Sequence, residues 1–450
     1  MNTNELQKRL QLLWDNSDDF RIYKNTNTES SVHILGLMVL YRYAEPEFNT
    51  LLESDESIIA EKTNQVFRQF EANHLDCFHA LSGVLDFRGL YLNENCGLKA
   101  LINNVHELIV WLSLQNNNEN NISNNNNAII AFLSKLSEDF LVTETLGNLI
   151  ASLSEPLSKE SIYDPFCSLG NLLYDATLNS DDNLIFGQST SKITALFSLL
   201  SLLLCGHNNI NLSLSNALEL PAFTTPTKRL KQFDLVISCP DVTMQVEPDK
   251  YDSYSRFEFG IPAKGKLDAL LLQHIVKSIK ADTGRAIAVV PQGFLYRGGV
   301  EKEVRQSFID TNLLAAVITL PAKLFAAKSN LPPMVLLFFK AKRSSTDIMF
   351  INADRLITSN KSSGVDQDFI DSVLNAYHRH DTDMDISRFS SPVTIKQIRE
   401  QDYNLSINRY VTPSVNLEYS IDDEKQRHNL LTKLNVIQAD IENAITGFRI

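Results

Sequence analysis

The sequence predicts an α/β chain in which an N-terminal helical region leads into a doubly wound parallel sheet and then a C-terminal helical tail. Three observations carry this. From Ser161 onward, short β-branched runs alternate with helical stretches, the rhythm of parallel βαβ units whose strands are buried on both faces. Before that point, apolar residues recur at helical spacing. At the end of the chain, Leu430, Leu431, Leu434, Ile437, Ile441 and Ile445 form the 3–4 pattern of a helix with one apolar face.

In chain order, residues 1–114 read as helical. The stretch ESSVHILGLMVLYRYAEPEF keeps helical spacing until Pro46, and Leu98 to Leu114 repeats the pattern. The tract QNNNENNISNNNN, Gln115 to Asn127, is nearly uncharged and rich in Asn. Such a tract buries little apolar surface, so a flexible loop and a domain boundary are expected there. A helix from Ala128 to about Leu153 should follow. The runs SIYDPF, NLIFGQ, INLSLSN, FDLVIS, RAIAVVP, LAAVITLP and MVLLFFK then read as seven strands, the last two forming a hairpin near Pro332 and Pro333. The apolar run Leu196 to Cys205 reads as a buried helix. After Arg343 the pattern becomes mixed and polar until the final helix, about Asp422 to Phe448. This gives a division into 1–127, 128–345 and 346–450.

Composition narrows the function. At 450 residues, 44% hydrophobic and 21% charged, the chain has the balance of a globular protein. No run reaches about 18 uninterrupted apolar residues, so no transmembrane helix is expected. The polar, acidic N-terminus does not read as a secretion signal. Five scattered cysteines (Cys77, Cys96, Cys167, Cys205, Cys239) without CxxC spacing argue against a zinc site and for free thiols in a reducing, cytoplasmic compartment. The net charge of −13 opposes free-standing DNA binding, which rests on neutralising phosphates. A DNA-directed role would therefore need a partner that supplies the grip. His207 and His274 read as ordinary helix-end or surface histidines.

Doubly wound sheets bind ligands at the C-terminal ends of their strands. The first such turn is Tyr163-Asp164-Pro165-Phe166-Cys167-Ser168-Leu169-Gly170, in which Gly170 removes a Cβ that would block backbone approach. The second turn is Gly187-Gln188-Ser189, with a hydroxyl where an acid would bind ribose hydroxyls. The third is Ser215-Asn216-Ala217-Leu218 and the fourth Ser238-Cys239-Pro240-Asp241. Arg297-Gly298-Gly299 precedes a helix at Val300 and reads as an exposed turn, structural or DNA-facing.

Several blocks resemble the methylation subunit of type I restriction–modification enzymes, a family of S-adenosylmethionine-dependent adenine-N6 DNA methyltransferases. They are Gly260-Ile261-Pro262, Phe294-Leu295-Tyr296-Arg297-Gly298-Gly299, Glu301 with Arg305, Asn312 to Pro321, His33 to Leu37, and Asp402 to Val411. The resemblance implies a class I, Rossmann-like methyltransferase sheet. It places a cofactor turn at Asp164, Pro165 and Gly170, with further cofactor contacts from Gln188, Ser189, Asn216 and Leu218. The catalytic turn falls at Cys239, Pro240 and Asp241.

Those site positions depart from the family pattern. The family's Asp-Pro-x-Cys-Gly-Ser-Gly keeps Asp164, Pro165, Cys167 and Gly170 here, but Ser168 and Leu169 replace its middle pair. Leu169 sets a branched side chain where the methionine part of the cofactor would lie. The acid after Gly-Gln is Ser189, the Asp before the third-turn Leu is Asn216, and the Thr-Pro pair before the sheet is not recognisable near Phe140 to Thr143. The family's Asn-Pro-Pro-Phe, which holds and stacks a flipped adenine, is Cys239-Pro240-Asp241-Val242. A thiol accepts hydrogen bonds weakly and Val242 offers no stacking face. The resemblance therefore implies a catalytically impaired homologue acting in assembly or DNA recognition. The alternative is an active adenine methyltransferase in which Asp241 accepts from the amino group. Cytosine-C5 chemistry at Cys239 runs against the residue order, which for that reaction is Pro-Cys. Implied partners are DNA through a specificity-type subunit, a restriction subunit and a second copy of the chain, with Asp422 to Phe448 as a docking helix.

Overall fold

Backbone pairing joins the strand runs into one nine-stranded sheet in the computed structural model. The structure describes residues 3–15, 26–88, 94–115, 119–137, 139–178, 180, 182–240, 254–258, 267–326, 331–359, 367–378 and 389–411. Its strands are β1 (Ser161–Asp164), β2 (Leu184–Ser189), β3 (Ile210–Leu214), β4 (Leu235–Ser238), β5 (Arg285–Pro291), β6 (Leu314–Leu320), β7 (Met334–Lys340), β8 (Ile348–Ile351) and β9 (Ser390–Val393). They lie in the order β3-β2-β1-β4-β5-β7-β6-β8-β9.

Strands β1 to β5 run parallel, and β7 runs antiparallel between β5 and β6. The expected doubly wound sheet and final hairpin are both present. Every residue of β4 and of β6 is buried, as a strand covered on both faces requires. The order reverses between β1 and β4, which opens a crevice at their C-terminal ends.

One face of the sheet carries helices Asn171–Thr177 and Lys192–Leu204, whose apolar residues share a core with the N-terminal helices. Helix Asn27–Tyr43 packs on Lys192–Leu204. Its start is fixed by a capping box, in which Thr26 accepts from the Glu29 amide and Glu29 accepts from the Thr26 amide. The other face is covered by Leu267–Lys277 and Val300–Asp310 over a second apolar core.

The Asn-rich tract is not a loop where it is described. Gln115 ends the helix Glu94–Gln115, and Glu119 to Asn127 belong to the helix Glu119–Leu136. Asn125 and Asn126 are buried, and Asn126 donates to the Leu204 carbonyl at 2.8 Å. Tertiary contacts override the low helix propensity of Asn. The single helix expected from Ala128 to Leu153 is two, Glu119–Leu136 and Glu144–Ser154. Between them, residues 139–143 cross the site edge of the sheet. Past Arg343 the chain adds β8 and β9, two short strands unmarked by the mixed sequence there. The C-terminal helix expected at Asp422 to Phe448, like Gly260-Ile261-Pro262, lies outside the described residues. Among the described residues no helix is long and apolar enough to cross a membrane, and no cluster of potential metal ligands occurs.

Candidate functional site

Asp164 ends β1 and is 3% exposed. Its Oδ1 accepts from the Phe166 amide at 2.9 Å, so the carboxylate closes a local turn. Burial pushes its acidity constant up to about 7, against the pull of that amide. Pro165 is buried beside it and Ser168 points out to solvent. Leu169 is 4% exposed and belongs to the main core. Gly170 has φ +76°, and a Cβ there would lie 2.0 Å from Ser198 Oγ on helix Lys192–Leu204. The glycine is thus required by packing whether or not a ligand approaches. Cys167 lies 3.4 Å from the same Ser198 oxygen, and burial pushes its thiol well up.

The turn after β2 serves the interior. Gln188 is 1% exposed. Its Oε1 accepts from Tyr163 Oη at 2.7 Å and from the Ala222 amide at 3.2 Å. Its Nε2 donates to Ser215 Oγ at 2.7 Å and to the Leu220 carbonyl at 3.3 Å. All four hydrogen-bonding positions of the amide are taken. Ser189 Oγ sits 3.1 Å from Thr194 Oγ1 and accepts from the Ser191 amide at 3.2 Å, bracing the start of the following helix. A Cβ on Gly187 would meet Leu212 Cδ2 at 2.7 Å, so that glycine too is set by packing.

After β3, Asn216 Oδ1 accepts from the Leu218 amide at 3.0 Å. Leu218 is fully buried and packs with Leu270, Phe166 and Phe257. Arg256, also fully buried, holds this turn by donating to the carbonyls of Ala217 and Leu218. The same guanidinium lies 3.1 Å from His274 Nδ1. Because guanidinium only donates, Nδ1 is the acceptor and Nε2 carries the proton toward Tyr163 Oη, 3.4 Å away. Burial and the Arg256 charge push His274 well below its ordinary value, so the ring is neutral. His274 lies in the last turn of its helix, as expected, but it is buried and not on the surface, and it links Arg256 to Tyr163.

Cys239 and Pro240 are buried after β4, and Cys239 faces the turn after β1. Asp241 and Val242 lie outside the described residues. Asp139, Leu141 and Val142 line the same cavity as Cys239. The Ala326 amide donates to the Leu141 carbonyl at 3.1 Å, Val142 bridges to Phe325, and Thr143 Oγ1 donates to the Leu324 carbonyl at 2.7 Å. Thr143 also caps helix Glu144–Ser154, with Glu144 at the first helical position. The threonine expected here is thus present, with Glu144 where proline would suit a helix start. At the turn after β5, Arg297 is a structural residue. It pairs with Glu301 at 2.6 Å and with Asp268.

The structure thus brings Asp164, Gly170 and Cys239 to one cavity and turns Gln188, Ser189, Asn216 and Leu218 to internal bonding and packing. That cavity, walled by Leu141, Val142, Phe166 and Leu169 as well, has a volume of about 30 Å³. Ligand pockets run to about 300–1,000 Å³. Leu169 is part of the cavity lining, and Ser189, a hydroxyl and not a carboxylate, ends β2. Arg256 and His274 escaped sequence reading because a lone Arg in a polar stretch and a lone His in an apolar helix carry no spacing signal.

Residues 134–418 match the family model for N-6 DNA methylase. The chain is 29% identical over 325 residues to the methylase subunit of the type I restriction enzyme MjaVIII of Methanocaldococcus jannaschii, covering 66% of this chain and 54% of that protein. It is 27% identical over 287 residues to the MjaVII methylase subunit of the same organism, covering 59% and 48%. The chain therefore spans about half the length of these curated relatives. Its fold matches the type I restriction–modification methyltransferase subunit of Streptococcus thermophilus with a TM-score of 0.73 at 21% identity, over 90% of this chain and 99% of that one. The sheet order, the site turns at its C-terminal edge and the matched span agree, and the chain belongs to the N-6 DNA methylase family.

Proposed function

We propose that this chain is a methylation-subunit-like protein of a type I restriction–modification assembly whose own adenine methyl transfer is impaired, and that it works as an assembly or DNA-recognition subunit. One observation carries the reading: the cavity at the turn after β1, with Leu169 in its lining, has a volume of only about 30 Å³. Methyl transfer needs the cofactor beside a flipped base. By the family resemblance, Leu169 falls where the cofactor's methionine end would lie and Cys239 falls at the catalytic turn, and both line that cavity. Partners follow from relatives that are named as subunits of type I restriction enzymes. They are a DNA-reading specificity subunit, a restriction subunit and a second copy of the chain. The acidic net charge of −13 accords with a subunit that draws DNA affinity from a partner.

Co-purification from the native host followed by a methyl-transfer assay on adenine-containing DNA tests this. The expected result is a complex with a DNA-reading subunit that adds no N6-methyl group. Methylated DNA would establish the active alternative, and an absence of any DNA-reading partner would overturn the assembly role.

A further inference from the structure

We propose that a groove on the edge of the sheet opposite the cofactor turns binds the phosphodiester backbone of duplex DNA. The groove has a volume of about 280 Å³ and is lined by Lys340, Lys342, Arg343, Tyr377 and His378, together with Asp347. Lys340 ends β7 and pairs in register with Arg285, the first residue of β5. That register sets the groove at the N-terminal ends of the parallel strands, away from Asp164 and Cys239.

Lys340, Lys342 and Arg343 line the groove with Asp347, while Asp282 and Glu155 stand beside it as partners of Lys342 and His378. Among the described residues, neither Lys340 nor Arg343 forms an ion pair, although the Asp347 carboxylate acts on Arg343 from within the lining. The Lys340 ammonium lies 4.9 Å from the Phe338 ring and 5.3 Å from the Tyr377 ring, contacts that position it without neutralising it. Arg343 donates to Asn312 Oδ1 at 2.9 Å and to the carbonyls of Leu314 and Asp347, all uncharged acceptors. Lys342 is paired with Asp282 at 2.6 Å, but both side chains are about three-quarters exposed, and such a pair is readily exchanged for a phosphate. His378 contacts Glu155 at 3.4 Å on the rim. Fixed cations beside a ring, with Ser344 and Ser345 hydroxyls at the mouth, suit phosphate oxygens spaced along a strand.

This inference rests on the reading of the chain as a DNA-assembly subunit, but its test is separate. The full chain is titrated against a fluorescein-labelled random-sequence duplex, with and without Lys340→Glu/Lys342→Glu. Arg343 is left in place because it ties the start of β6. A second variant, Lys8→Glu/Lys396→Glu, makes the same change in net charge elsewhere. Without a partner subunit the wild type should bind weakly and only at low salt, with a salt-dependent affinity that the groove variant weakens about tenfold. The slope of log affinity against log salt should fall by about 2, one unit for each lost phosphate contact. The charge-matched variant should stay near wild type. Equal slopes in the groove variant and wild type, or no duplex binding by the wild type, would overturn the groove. So would equal competition by polyglutamate, which would assign it to an acidic protein. Co-purification with a DNA-reading subunit decides the assembly reading independently.

Discussion

The strands β5, β7 and β6 and the turns leaving β1, β2 and β3 use buried residues to different ends. In the strands, the antiparallel register between β5 and β7 runs unbroken from Arg285–Lys340 to Pro291–Met334, and side chains such as Ile287, Val289 and Leu336 only fill space. In the turns, each residue kept from the cofactor motif has a second occupation. Asp164 closes a turn, Gly170 makes room for Ser198, Gly187 for Leu212, and Gln188 spends all four hydrogen bonds inside the protein. Positions that depart from the family pattern, such as Leu169, Ser189 and Asn216, are likewise held by packing or internal hydrogen bonds. A motif residue that survives is therefore weak testimony to a surviving ligand when packing alone demands it.

The largest expected effect lies in the strands. Phe338→Ala, at a fully buried position in the middle of the sheet, should cost about 3–5 kcal/mol in urea unfolding. Leu169→Ala sharpens the comparison on the other side. If Leu169 is a core residue, as its 4% exposure indicates, truncation should cost about 2–4 kcal/mol. A cost below about 0.5 kcal/mol, the level of an ordinary surface change, would mean that the side chain lies in an open cleft.

Asp164 gives a pH signature. Its folded value of about 7 lies above the ordinary carboxylate value of 3.8, so the folded protein keeps a proton that the unfolded chain releases. Stability from this group falls as pH rises from about 4 to 7. Asp164→Asn keeps the acceptor for the Phe166 amide and loses the charge. It should be more stable than wild type by a few kcal/mol at about pH 8 and equal to it near pH 4. The comparison with wild type cancels the opposite trend from His274, whose lowered value favours the folded state as pH rises through the ordinary histidine range. A difference independent of pH would show that Asp164 titrates normally. The smallest effect is Thr143→Ala, which removes a helix cap and should cost about 1 kcal/mol.

Much of this architecture is legible in the sequence, because buried parallel strands write themselves as β-branched runs. The runs at Ser161, Leu184, Ile210, Leu235, Arg285, Leu314 and Met334 all became strands. The strands at Ile348 and Ser390 were hidden by the mixed, polar sequence that surrounds them past Arg343. The Asn-rich helix was hidden because its stability comes from contacts such as Asn126 with Leu204, not from its own propensity. At the site, the motif departures could be read, but not what fills the gap. Nothing in the sequence pairs Arg256 with His274, or brings Leu141 and Val142 to one cavity with Cys239.

The central claim is that the turn from Asp164 to Gly170 is packed shut. Calorimetric titration of the purified chain with S-adenosylmethionine tests it most directly. The expected result is no heat beyond dilution at millimolar ligand. One-to-one binding would contradict the account, since it would require Leu169 to leave the core and the cavity beside Asp164 to open to the size of a cofactor.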